Sequence, residues 1–273
     1  MNVSRLAFSA MLGCALVGPM VATASAKDTM AEIKQRGKLV VGVKQDYRPY
    51  GFLDPSGKIV GLEPDLAADV AKRLGVTLEL VPVIASNRMQ FLQQGRIDLM
   101  IATMTDTPAR RAQVDIVQPD YYAAGVNVLA KKGAGLTSWQ SLKGKPLCAV
   151  QGAFYNKQMQ DEYGAQVLAF PGTSEALNAL KAGNCIAFVY DDSFNNPTSQ
   201  LPEYAGFDTP LPSIEVKPWG LAVAKDEPQF ATFMSNTVKD WFRTGLIIEL
   251  DKKYKLPVSD FDKQMHEEYS KKK

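Results

Sequence analysis

Histidine is almost missing from this chain of 273 residues: His266, in a polar stretch near the C-terminus, is the only one. Without a usable imidazole, Ser-His and Cys-His catalysis have no base and zinc sites have no ligand set. Cysteine is scarce, three in all. Neither sign of charge dominates, with 31 Lys and Arg against 29 Asp and Glu. A nucleic-acid binder would show a basic stripe, and the one basic run is Lys271-Lys272-Lys273. No G-x-G-x-x-G follows the first apolar run and no G-x-x-x-x-G-K-[ST] occurs, so nucleotide-phosphate motifs are absent. No run beyond residue 26 is apolar enough to span a bilayer. What is present is ordinary for a globular protein, 46% hydrophobic and 22% charged. Such a chain suits a small ligand whose charges are met locally. No cofactor, no metal and no nucleic-acid partner are expected, and the expected state is a monomer.

Arg5 is the only charge before Lys27, residues 6–21 are apolar, and Ala24-Ser25-Ala26 closes the stretch with small residues. A charged start, a short apolar core and an A-x-A end spell a cleavable secretory signal peptide over 1–26, cut after Ala26. A membrane anchor would need a longer apolar run, about 20 residues. Lipid attachment at Cys14 fits Met11-Leu12-Gly13 poorly. Two cysteines remain after cleavage, Cys148 and Cys185. In an oxidising compartment such a pair is expected to be bridged rather than reactive.

Along the mature chain, short apolar runs alternate with helix-period segments. Residues 39–43, 76–80 and 97–102 read as strands. Between them lie a helix opened by Pro64, with Leu66, Val70 and Leu74 on one face, and a short one over 87–94. The rhythm restarts with strands at 146–150, 167–170 and 186–190 and helices at 154–163 and 173–182. A long amphipathic helix begins at Pro228. Two βα sets imply two lobes, each a mostly parallel sheet flanked by helices. Residues 126–130 and 216–224 read as two crossings between them. The expected division is 27–127 plus 219–273 for the first lobe and 128–218 for the second.

Candidate binding residues gather at strand ends. Thr103 and Thr105 follow the strand 97–102, and Thr107-Pro108 opens a helix bearing Arg110 and Arg111. A strand's carboxyl end meeting a helix start is where α/β proteins hold anions. Arg110 offers a bidentate donor for a carboxylate; the alternative is a solvated helix face. Gly152 and Ala153 could present free N–H groups or form an ordinary turn. Asp191 or Asp192 could accept an ammonium or cap a helix. Tyr47 could wall a ligand or fill the core, and Arg88 by itself is a surface arginine.

Several motifs resemble, in order, the extracytoplasmic solute-binding proteins of bacterial ABC transporters, in the polar amino-acid family (solute-binding family 3). They are 33–43, Gly61-Leu62-Glu63-Pro64-Asp65-Leu66, Gln94-Gly95-Arg96-Ile97-Asp98, 105–110, Pro119-Asp120-Tyr121-Tyr122 and Ala187-Phe188-Val189-Tyr190-Asp191. Pro64 departs from a usual aliphatic residue. The resemblance spans about 30–254 and implies the two-lobe periplasmic-binding-protein-like (type II) fold with two hinge crossings. It implies a periplasmic, non-enzymatic carrier that hands an L-amino acid to a membrane permease. It assigns Arg110 to the ligand α-carboxylate, helped by Thr105 and the amides of Ala153 and Phe154. It assigns Asp191 to the ammonium, with the Thr103 hydroxyl and Ala102 carbonyl nearby, and makes Tyr47 an aromatic wall. Arg88 matches the arginine that aspartate/glutamate-binding members use for the side-chain carboxylate, and Lys44 could add a second cation. Glutamate or aspartate is therefore the expected ligand, with glutamine, asparagine or a basic amino acid as the alternative. An exported cyclohexadienyl-dehydratase-like enzyme is the remote rival. Those relatives keep a carboxylate where this chain has Ser193, Phe194 and Asn195.

Overall fold

The structure, a computed structural model, describes residues 28–271. The expected leader, with Cys14 and the cleavage point after Ala26, lies outside the described residues, as do the last two lysines. Asp28 opens α1 (Thr29–Arg36) by accepting from the Ala31 N–H, and Gly37 ends it in the left-handed region. β1 (Lys38–Val43) starts the first lobe, followed by a small meander of β2 (Asp46–Tyr47), β3 (Gly51–Leu53) and β4 (Ile59–Val60). Then come α2 (Leu62–Leu74), β5 (Thr77–Pro82), α3 (Arg88–Gln93), β6 (Leu99–Met100), α4 (Pro108–Arg111) and β7 (Asp115–Ile116). The second lobe takes β8 (Tyr122–Lys131), β9 (Pro146–Val150), α5 (Asn156–Asp161), β10 (Gln166–Phe170) and α6 (Thr173–Ala182). It continues through β11 (Ala187–Asp191), α7 (Asp192–Ser199), β12 (Phe207–Asp208) and β13 (Ile214–Trp219). β14 (Ala222–Val223) rejoins the first sheet, and α8 (Pro228–Thr244), α9 (Leu246–Lys253) and α10 (Asp260–Ser270) pack last.

The first sheet runs β5-β1-β6-β14-β7; the second runs β10-β9-β11-β8-β12, with β13 also on β8. One strand opposes the rest in each. β14 is antiparallel to β6 and β7, and β8 is antiparallel to β11, β12 and β13. The other neighbours are parallel, as βαβ connections require. Residues 126–130, expected as a crossing, pair instead with β11 inside the second sheet. The chain passes between lobes just before them, where Tyr122, Ala123 and Ala124 pair with Trp219, Pro218 and Lys217 in one hydrogen-bonded ribbon. Leu39, Val41 and Val43 of β1 and Leu66, Ala67 and Val70 of α2 are fully buried, as a strand covered by an amphipathic helix demands.

Several elements differ from the periodicity reading. The strand expected over 97–102 is only Leu99–Met100. Beyond it the Thr103 N–H leaves the ladder for the Glu63 carboxylate at 2.6 Å, and Thr105 bridges to Trp219. α2 starts at Leu62 rather than Pro64, which sits in the first turn where its missing N–H is not needed. Its cap is Gly61, at φ 139°, where a Cβ would lie 2.4 Å from the Tyr50 carbonyl oxygen. The stretch around His266 is no tail. Ser259 and Asp262 form a capping box, and α10 packs Phe261 and Tyr269 on Phe242 at ring distances of 6.1 and 6.0 Å. Cys148 and Cys185 are bonded, with Cα atoms 5.6 Å apart and 37 residues of separation. In the chain-entropy model a loop of that length is worth about 3–4 kcal/mol.

Candidate functional site

The carboxyl ends of β6 and β11 meet at one small cavity, and hydrogen bonds join the two lobes beside it. The Thr107 hydroxyl accepts the Arg110 N–H at 3.3 Å and Pro108 takes the first helical position, so the short α4 is fixed by its cap. Arg110 is buried. Its guanidinium donates to the Thr105 carbonyl at 2.7 Å and, across the cleft, to the Gly152 carbonyl at 2.9 Å. Gly152 sits at φ 81°, pressed against Ala85 of the first lobe, where a Cβ would meet the Ala85 carbonyl oxygen at 2.8 Å. Burial, then the like charge of Arg88, brings the Arg110 pKa down to about 9, so it remains charged at neutral pH.

Arg88 is the first residue of α3 and is buried. It donates to the Ala102 carbonyl and, at 3.1 Å, to the Thr103 carbonyl, while its Nε is buried with no hydrogen-bond partner. Among the described residues neither guanidinium is ion-paired with a carboxylate. Asp191 closes β11 and occupies the cap position of α7 without capping it. Its carboxylate accepts from the Tyr47 hydroxyl at 2.9 Å. Desolvation lifts its pKa to about 6 against the Tyr47 hydrogen bond, which pulls the other way. Its neighbour Asp192 accepts from the Gly125 N–H at 3.0 Å instead.

These three charged side chains, with Thr103, Thr105, Ala153 and Phe154, line one interlobe cavity of about 20 Å³, the room of about one water. As the lobes stand, that room is too small for an amino acid. A roomier cavity of about 500 Å³ opens on the hinge side, between Ala123–Gly125 and Lys255–Ser259, and carries neither arginine. Three candidates stand outside the small cavity. Tyr47 is fully buried behind Asp191, its hydroxyl also 2.8 Å from Ser193 Oγ. The Ala102 carbonyl is taken by Arg88. Lys44 is fully buried 2.8 Å from Asp46 Oδ1, and desolvation lowers its pKa in spite of that partner. The Ala153 N–H turns back to the Val150 carbonyl at 3.3 Å.

The cavity also holds residues that sequence reasoning passed over. Tyr190 and Tyr155 line it, both buried, and the Tyr155 hydroxyl lies against Asp191. Beneath it, Glu63 accepts from the Thr103 N–H and the Tyr121 hydroxyl and holds Thr103 at φ 48°. A signal existed: Glu63 shares the buried face of α2 with Leu66, Ala67 and Val70, where a carboxylate is out of place. Desolvation raises its pKa from 4.5 to about 7. Its folded pKa lies above the unfolded one, so its contribution to stability is complete below about pH 4.5 and is lost as pH rises to about 7. Glu63→Gln keeps the acceptor and cannot ionise. It should gain about 2–3 kcal/mol more over wild type at pH 8 than at pH 5, measured by urea unfolding. An equal difference at both pH values would show Glu63 to be ionised throughout.

The chain is similar to the ABC transporter glutamine-binding protein GlnH of Bacillus subtilis, 34% identical over 242 residues and covering 84% of this chain and 85% of that one. It is similar to the glutamine-binding protein of Geobacillus stearothermophilus, 32% identical over 222 residues with 79% and 83% covered. Among solved structures, an ancestral arginine-binding protein bound to arginine is 32% identical, with a TM-score of 0.75 and coverage of 80% and 98%. The model of the bacterial extracellular solute-binding proteins, family 3, matches residues 39–257, nearly all of what folds into the two lobes, and the chain belongs to that family.

Proposed function

We propose that the protein captures one L-amino acid by closing its two lobes and delivers it to an ABC permease, and that the ligand is glutamate or aspartate. One observation carries the choice of ligand. Two buried guanidiniums without a carboxylate partner face a single buried carboxylate. Buried charges must be matched, so such a cavity favours a guest with two negative groups and one positive. Arg110 takes the α-carboxylate, Asp191 the α-ammonium, and Arg88, through Nε and its remaining amino group, the side-chain carboxylate. Glu63 offsets this excess only in part, because a pKa of about 7 leaves it about half ionised at neutral pH. Ligand contacts from both lobes make the closed form gain what the open form lacks, which shifts the hinge equilibrium. Export through the leader 1–26 belongs to the same reading, as does a carrier rather than catalytic role.

Glutamine is the second reading, favoured by the two glutamine-binding relatives at 34% and 32% identity. Arg88 would then donate to an amide carbonyl. Calorimetry with L-glutamate, L-aspartate, L-glutamine and L-arginine on the mature protein separates the two. Glutamate should bind at least tenfold tighter than glutamine, roughly one charged hydrogen bond's worth. Arg88→Met should lower glutamate affinity about 100-fold and glutamine affinity only a few-fold. Tighter binding of glutamine replaces the dicarboxylate reading, and no heat with any amino acid rejects the function.

A further inference from the structure

One set of interlobe bonds lies outside the cavity. Asp46 belongs to the first lobe. Its Oδ1 is 2.8 Å from the fully buried Lys44 ammonium, which fixes the carboxylate in place. Opposite it, α6 of the second lobe begins at Thr173 with Gly172 in the cap position and no side-chain cap within its own segment. The Asp46 carboxylate supplies that cap from across the cleft. Its Oδ2 accepts the Thr173 N–H at 3.1 Å, and the Asp46 carbonyl accepts the Thr173 hydroxyl at 2.7 Å. Gly172 leaves room for the carboxylate: a Cβ there would stand 2.9 Å from Glu175 Oε2 and 3.0 Å from Asp46 Oδ2. Neither Asp46 nor Thr173 lines the cavity.

We propose that Asp46 is a closing latch: it completes the N-terminus of α6 only when the lobes meet, and so holds the shut form without touching the ligand. An anionic cap on an orphan helix N–H is favourable, and the helix dipole adds to it. Opening the lobes returns Thr173 N–H to water and leaves Asp46 with Lys44 alone. The latch rests on lobe closure as the proposed mode of binding, and it makes Asp46 and Thr173 positioning residues that set how long the guest stays.

Thr173→Pro is the clean test. It removes both donors at the first helical position, which tolerates proline, and Gly172 already has the extended conformation (φ −137°, ψ 176°) that precedes proline. Asp46→Ala is the second variant. One spin label on each lobe reports the interlobe distance with no ligand and with L-glutamate or L-glutamine, while stopped flow gives the dissociation rate. In both variants the short-distance population should shrink and dissociation should quicken about tenfold. The ligand-free melting temperature of Thr173→Pro should not change, which a merely structural role would not allow. Distance distributions and dissociation rates equal to wild type in both variants would overturn the latch. So would a wild type that never shows the short distance in either condition. A wild type that binds no amino acid, beside variants that still lengthen the distance, would end the functional reading and leave the latch standing.

Discussion

Arg110→Ala should lower affinity for the amino acid at least about a thousandfold, near 4 kcal/mol. The loss comes from stranded polar groups. The side chain is buried and holds the Thr105 and Gly152 carbonyls, one on each lobe. Its removal leaves two carbonyls without a donor, takes a bond out of the closed form, and gives the ligand α-carboxylate nothing to replace its water. Arg110→Lys should recover only part of the loss, because an ammonium cannot present the planar fork. Calorimetry measures the loss, and thermal melting of the ligand-free variant shows that it still folds. Wild-type affinity in Arg110→Ala would remove this residue from the site.

Asp191→Asn should weaken binding about 100-fold or more and should also change its pH dependence. With the lobes together and no ligand, burial sets the Asp191 pKa at about 6. An ammonium placed against it favours the ionised form, so binding releases a proton wherever the free carboxyl still holds one. Wild-type affinity should therefore be flat above about pH 7 and fall about tenfold between pH 7 and pH 5. The asparagine variant should lack this slope, because it has no proton to lose. Titrations at three pH values decide the matter. Parallel slopes in the two proteins would assign the pH dependence elsewhere, with Glu63 the first alternative.

The architecture was legible because burial and punctuation repeat. Gly75, Thr107-Pro108, Pro228 and Gly245 mark element ends, Pro64 falls within a turn of one, and the alternation of β1 and the stripe of α8 say which faces are covered. Arg110 and Asp191 were legible as candidates because each follows an apolar strand, the place where an α/β protein exposes backbone and side chain together. The contacts within the site were not. Whether Asp191 caps α7 or faces the cavity is decided by Tyr47, which lies 144 residues away in the chain. Likewise the assignment of Lys44 to Asp46, and of Arg88 to two backbone carbonyls, depends on chain segments that local periodicity does not relate. α10 was missed for a different reason. Its apolar stripe is narrow, Phe261, Met265 and Tyr269, set among charged residues that lower the mean hydropathy of the segment.

The ribbon made by the two crossings has a mechanical meaning. A pair of strands laced together bends easily out of its own plane, whereas sliding or shearing one past the other would break the rungs between Tyr122–Ala124 and Lys217–Trp219. The joint therefore behaves like that of a caliper, with one easy movement. A bulkier guest would prop the jaws wider and a smaller one would let them swing further, so molecular size is translated into an angle that another protein can read from outside.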